Sequence, residues 1–323
     1  GIRDMMSFAA ALLAGFLVEA TVSWPMAVFR KIGHPVSWIG HLISKLEAFL
    51  NRPSHSPVRL RAYGAITVFL VLVACVSPAV AVSSVLPNGW SGVLIGGLSW
   101  PFLATRSLYD HVQAIALPLA RGQTDQARGA VSLIIGRNPE TLDDKAIARA
   151  SLESLAENSS DGVIAPLFWG LVFGLPGLVG YKVINTFDSM IGHRSARYVH
   201  FGMAAARLDD LANLIPSRIT GGLFTVVSGR LRHAGKVMFR DANQHRSPNA
   251  GWPEAAMAAA LDIRLSGPRV YGNMVANEPW LNGEAADPDA GSVRRGLGLY
   301  QRVMLVVALG LGLIALLERM TNA

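Results

Sequence analysis

The sequence predicts an all-α, polytopic integral membrane protein, and three observations carry that prediction. Hydrophobic residues make up 51% of the 323 residues and charged residues only 16%, with a mean hydropathy of +0.35. An ordinary soluble domain carries roughly 25% charge. Several uncharged runs approach the ~20 residues that a spanning helix needs. The polar residues gather into a few segments between those runs. The same composition excludes disorder, a coiled coil and collagen. The lone cysteine, Cys75, excludes an intrachain disulfide framework and a multi-cysteine metal site. The net charge of +7 suits anionic substrates or a membrane surface. Its basic residues are dispersed and not interleaved with exposed aromatics, which argues against nucleic acid.

Taken in order, the first candidate span runs over residues 5–24. Its short apolar core also suits a signal peptide, but Glu19 and Trp24-Pro25 end it without a small-x-small cleavage site. Residues 62–86 form the strongest span, with no charge along them. Pro87-Asn88-Gly89 then reads as a tight turn. Residues 90–105 form a shorter, Gly-rich return, and 300–317 the last span. Residues 162–184 differ, because Gly174-Leu175-Pro176-Gly177 interrupts them with turn formers. That pattern predicts a re-entrant helical hairpin, tolerated at membrane depth only where protein or water covers it. Leu211 to Ser228 carries Pro216 and Arg218, so it reads as a segment lying at the interface or against the hairpin. About four or five transmembrane helices result, in a single membrane-embedded domain over 1–323. Arg30, Lys31, Lys45, Arg52, Arg59 and Arg61 fall between the first two spans and bias that segment to the cytoplasm.

No phosphate-binding P-loop, dinucleotide fingerprint, zincin helix or nucleophile elbow is present. Polar constellations remain. Ala146–Asn158 reads as a helix with Glu153 and Glu157 on one face and Asp161 just past its end. Three carboxylates this close repel unless a cation sits among them, and Mg²⁺ with phosphates is one answer. The other is a solvated face, with Arg149 paired to Glu153 and Asp161 capping the next helix. Lys182, Asn185 and Ser189 share a stripe, with Asp188 beside it. Such groups at membrane depth are functional candidates, or a lysine reaching to headgroups. Arg207 stands beside Asp209 and Asp210, as a site or a local ion pair. The turn-rich segment from Arg240 to Glu254 suits a ligand loop or a plain connector, and Pro253 and Glu254 suit a helix start. His34 with His41 and His193 with His200 lack the spacing of a helical metal site, which favours hydrogen-bonding roles. The tryptophans, among them Trp38, Trp100, Trp169, Trp252 and Trp280, read as core or membrane-interface residues.

Four motifs in order resemble a known family. They are His34-Pro35-Val36-Ser37-Trp38-Ile39-Gly40, ESLAENSSDGVIAPLF from Glu153 to Phe168, YKVINTFDSMIGHRSARYVHFGMAAARLDDLANLIPSRI from Tyr181 to Ile219, and SPNAGWPEAAMAAAL from Ser247 to Leu261. Together they resemble the CobD/CbiB family of adenosylcobinamide-phosphate synthases, over residues 8–317. Many members carry Gly-Asp-Pro before the His-Pro motif, where this chain has Glu19-Ala20-Thr21-Val22-Ser23-Trp24-Pro25. The resemblance implies a bacterial inner-membrane enzyme with its active site facing the cytoplasm. It implies ATP-dependent amide formation between adenosylcobyric acid and 1-aminopropan-2-ol or its O-phosphate. The corrinoid is then substrate and not prosthetic group, Mg²⁺ and ATP are required, and some members work with a second, soluble protein. The competing reading is a non-catalytic corrinoid-binding membrane subunit that scaffolds a soluble synthetase.

A carboxylate is a poor acyl donor, so ATP must activate it, and that step calls for a divalent ion, cations for phosphate charge and a base near the amine. On that implied chemistry Glu157 and Asp161, assisted by Glu153, are expected to hold Mg²⁺. Lys182, Arg197 and Arg207 are expected at phosphate, and Asp188 or Asp209 as base or at a second ion. Asn158, Asn185 and Asn249 are expected to read corrin amides. His34 and Glu254 complete the expected substrate contacts.

Overall fold

The computed structural model describes residues 8–85, 91–135, 139–193, 195–271 and 274–321. The Pro87-Asn88-Gly89 turn lies outside them. The helices are α1 Phe8–Thr21, α2 Met26–Ile32, α3 Pro35–Leu50, α4 Pro57–Val85, α5 Ser91–Ser99, α6 Thr105–Ala120 and α7 Thr124–Val131. There follow α8 Asp144–Ser159, α9 Ala165–Ile191, α10 Met203–Ala212, α11 Leu214–Val227, α12 Leu231–Asp241, α13 Gly251–Leu261 and α14 Ala290–Thr321. A π-turn, Ser160–Ile164, joins α8 to α9. The sheet content is two short antiparallel pairs, β1 Leu265–Ser266 with β4 Trp280–Leu281, and β2 Arg269–Tyr271 with β3 Met274–Ala276.

The helix ends follow local chemistry. The His34 ring accepts from the Val36 N–H at 3.2 Å, and Pro35 starts α3, where its missing N–H costs nothing. The Asp143 carboxylate caps α8 through the Ala146 N–H at 2.8 Å. Asp262 ends α13 in the left-handed region, φ 58°.

Among the described residues three helical runs are long and apolar enough to cross a membrane: Pro57–Val85, Asp144–Ile191 and Ala290–Thr321. The first covers residues 62–85 of the predicted span at 62–86, whose last residue lies outside the described ones, and the last contains the predicted span at 300–317. At 1.5 Å per residue α4 is about 43 Å long, ample for a hydrocarbon core of about 30 Å. The described helices in the other two predicted spans are shorter. α1 has 14 residues and α5 nine, about 21 and 14 Å.

The chain divides into two compact, discontinuous units. One comprises residues 1–104, 165–213 and 308–323. Here α4 lies against α3, α9 and α10, and α1 against α5 and α9. The Ala9 N–H reaches the Glu318 carboxylate at 3.3 Å, joining α1 to the end of α14. Within this unit α9 folds back on itself. Gly174 takes φ 69° and ψ −158°, outside the helical region and open to glycine. A Cβ on Gly177 would collide with the Trp169 carbonyl oxygen, although a continuous helix would hold those residues about 12 Å apart. Ala165 and Tyr181 meet in one apolar cluster. The predicted hairpin at 162–184 is therefore present, its first arm starting at Ala165 and its second running to Ile191.

The other unit comprises residues 105–164 and 214–307. Its centre is α13, buried along nearly its whole length among α8, α11 and α12. α6 and α7 cover α8.

Candidate active site

The expected site residues divide between the two units. His34, Lys182, Asn185, Asp188, Arg197, Arg207 and Asp209 belong to the first. Lys182 and Asn185 stand one turn apart on the second arm of the hairpin, with Nζ donating to Oδ1 at 3.3 Å. His34 lies within electrostatic reach of that ammonium. Burial, and then the Lys182 charge, push the His34 imidazole below its usual value, so at neutral pH it is an uncharged acceptor. Asp188, a turn further on, is half-buried near His193 and Asp210. Asp209 is buried and accepts from Asn213 Nδ2 at 3.0 Å, and Asn213 Oδ1 accepts from the Tyr181 hydroxyl at 2.9 Å. This chain of bonds ties the end of α10 to the hairpin and fixes where the Asp209 carboxylate stands. Arg207 is exposed on α10.

Arg197 has a different task from the expected one. Its Nε and Nη2 donate to the Glu47 carboxylate at 2.9 and 3.0 Å, and Glu47 also accepts from Asn51 at 2.8 Å. Glu47 holds the Arg197 guanidinium above its ordinary pKa. The pair fastens the segment after the hairpin to α3.

Glu153, Glu157, Asn158, Asp161, Asn249 and Glu254 belong to the second unit. The solvated-face alternative for α8 does not hold at Glu153, because residues 150–156 are all buried. Glu153 is among them and accepts the Ser266 N–H at 2.7 Å. Arg149 does not turn to Glu153. It donates to Asp287 at 2.7 Å, while its guanidinium lies 4.6 Å from the centre of the Trp280 ring. Arg264 meets the same ring at 4.3 Å and grips Asp287 with bonds of 2.8 and 2.9 Å. The Arg264 hydrogen bonds, reinforced by Arg149, hold the Asp287 carboxyl at a pKa of about 2.

Glu157 is exposed, and Asp161 follows on the π-turn, half-buried. A π-turn places an irregular backbone where function often needs one. Among the described residues no three acidic, histidine or cysteine side chains converge to hold an ion, so the expected trio forms no ready-made nest. Magnesium, however, commonly takes one or two carboxylates together with phosphate oxygens and water. Glu157 and Asp161 offer that kind of hard-oxygen pair, with Glu153 committed to Ser266. Asn158 bonds back to Ser154 through its amide nitrogen at 3.0 and 3.2 Å.

Asn249 is buried, and its Oδ1 accepts from Ser217 Oγ at 3.4 Å and Arg218 Nη1 at 3.3 Å. The Arg218 guanidinium also covers the Trp252 ring at 4.6 Å. Glu254, in the first turn of α13, is 2% exposed and lies 3.7 Å from His245 Nε2. The segment 240–254 is thus a folded structure and no slack connector. Asp241 anchors its start. Burial pushes that carboxyl up, but two Arg240 bonds of 2.6 and 2.8 Å and the Asn282 N–H at 2.8 Å bring it below the ordinary range. His245, Arg218 and Asn282 were not among the site residues expected from the sequence. A histidine nine residues before Glu254 carries no spacing signal, and the other two reach their partners across the fold.

Helices long and apolar enough to cross a membrane, together with buried polar groups such as Asp209, Asn249 and Glu254, mark a helical membrane protein. The chain belongs to the CobD/CbiB family: the model described as CobD/Cbib protein matches residues 12–300. A cobalamin biosynthesis protein CobD of Rhodobacter capsulatus is 56% identical over 314 residues, 97% of this chain and 99% of that one. One of Brucella suis is 45% identical over 296 residues, 87% and 90% of the two chains. One of a Sinorhizobium species is 40% identical over 321 residues, covering 92% and 95%. No solved structure matches.

Proposed function

We propose that this chain acts in cobalamin biosynthesis as an acid–amine ligase of the inner membrane. It joins the carboxyl group of adenosylcobyric acid to the amine of 1-aminopropan-2-ol or its O-phosphate, with hydrolysis of ATP. The observation that carries the reading is near full-length similarity to CobD relatives, across every polar motif from His34 to Leu261. The burial of Glu254, Asn249 and Asp209 supports it, because ordered, buried polar groups suit a site that must orient charged and amide-bearing substrates.

In this reading Glu157 and Asp161 hold Mg²⁺, which neutralises phosphate charge. Lys182 and Arg207 contact phosphate. Asn249 and Asn158 bind corrin amides, which need both donors and acceptors. Asp209 or Asp188 accepts the proton that the amine must lose. Neutral His34 beside Lys182 keeps that part of the site free of a second positive charge.

The test is reconstitution of the purified full chain with adenosylcobyric acid, Mg-ATP and either amine, with the amide read by mass spectrometry. Product is expected from the chain alone. Corrinoid binding without product, restored by a soluble fraction, would replace the ligase by a membrane subunit. Glu157→Gln and Asp161→Asn are each expected to lower turnover by roughly a hundredfold or more. Near-normal turnover in both would remove the metal assignment.

A further inference from the structure

The corner between α11 and α12 carries a feature that the ligase reading does not use. One face of α11 is buried through Ser217, Thr220, Gly221 and Phe224. The opposite face exposes Ile215, Ile219 and Val226 at helical spacing. Arg302 of α14 donates to the Val227 carbonyl at 3.1 Å, and Leu305, one turn further along α14, is exposed as well. The two apolar surfaces therefore start from the same level, marked by a cation.

At that level the chain turns into α12, whose faces differ sharply. Ala234, Val237, Met238 and Asp241 are buried. Arg232, Lys236, Phe239 and Arg240 point outward, with Phe239 67% exposed among the cations. Arg230, Leu231, Arg232 and His233, with Asp262, line an open pocket of about 630 Å³. Asp262 pairs with Arg230 at 3.1 Å. Among the described residues neither Arg232 nor Lys236 is in an ion pair.

We propose that this corner binds an anionic phospholipid, its phosphate in the Arg230–Arg232–His233 pocket and its acyl chains along the Ile215–Ile219–Val226 stripe. Charge complementarity selects the ligand. A soluble anion would use the cations and leave Leu231, Val226 and the outer face of Phe239 in water, whereas a phospholipid brings a phosphate and a hydrocarbon tail to the same place. Basic side chains at the end of an apolar helix meet headgroups by extending along their own stems. The membrane leaflet that supplies such phosphates attracts each basic side chain near its surface.

The full chain is reconstituted into nanodiscs of phosphatidylcholine and phosphatidylglycerol, and the phosphatidylglycerol retained on release is counted by native mass spectrometry. Arg232 and Lys236 are both exposed, so the double variant Arg232→Gln/Lys236→Gln is expected to fold. It should retain about tenfold less phosphatidylglycerol. The control Arg121→Gln/Arg294→Gln, with the same charge loss elsewhere, should retain the normal amount. Equal retention in both variants, or equal loss in both, would overturn the proposal. So would displacement of the lipid by inorganic phosphate, which would make the pocket a site for a free anion. A variant that did not fold would be replaced by Phe239→Ser, expected to weaken retention without any change of charge.

Discussion

Helices α4 and α13 are both almost wholly apolar, yet they end in opposite surroundings. α4 exposes Phe69, Leu70, Val73 and Val80, while α13 buries nearly every residue it has. Apolarity does not separate them; length and side-chain volume do. α4 runs for 29 residues and is studded with Val, Leu and Phe, more apolar surface than a few neighbouring helices can cover. Lipid is the solvent that such a helix fits. α13 has 11 residues, five of them alanine, and small side chains let α8, α11 and α12 close around it. It also carries one buried carboxyl group, Glu254, a polar group that lipid would not tolerate.

The largest effect is expected from that carboxyl group. If α13 is apolar scaffolding with a functional group set into it, Glu254→Gln should cost roughly tenfold to a hundredfold in turnover with the fold retained. Circular dichroism and the amide assay together check this. A variant of normal activity would leave α13 as scaffold only. Next comes volume. Ala256→Leu, at a fully buried position, should destabilise the detergent-solubilised chain by about 2–3 kcal/mol. Ala74→Leu, on the exposed face of α4, should leave the melting temperature nearly unchanged. Equal shifts would break the comparison.

The acid limb gives a third, similar effect. The Asp287 carboxyl, 18% exposed, titrates near pH 2 when folded against 3.8 ordinarily. Its folded value is the lower one, so its contribution is complete above about pH 4 and lost as pH falls toward 2. That contribution is about 2 kcal/mol. Acid unfolding of Asp287→Asn should lack this part of the slope. The smallest effect is expected at the hairpin tip, where Gly174→Ala places a Cβ at φ 69° and ψ −158°, a combination almost confined to glycine, at about 1–2 kcal/mol. Thermal melts of the variant measure it, and an unchanged melt would mean that the tip relaxes freely.

Much of this was legible in local sequence. The 62–86 and 300–317 spans, the turn residues Gly174 to Gly177 and the start of α13 are short-range signals, and the fold honours them. Contacts between distant residues were not legible. Spacing suggested an Arg149–Glu153 pair, but Trp280 stacks on Arg149 from more than a hundred residues away and Asp287 takes its charge. Glu153 and Arg197 likewise found Ser266 and Glu47, partners that no helical period announces. The π-turn was also hidden, since nothing in Ser160–Ile164 distinguishes a widened turn from an ordinary one.

The bond between Ala9 and Glu318 joins residues 309 positions apart. At about 5–20 residues per second of synthesis, α1 exists for some 15–60 seconds before its partner leaves the ribosome. During that wait α1 must be held by neighbours such as α5 and α9, or by the machinery that inserts it. The same interleaving means that no cut at one site yields two complete halves, because each unit borrows a segment from beyond the other. Assembly of this chain is therefore a matter of timing as much as of affinity.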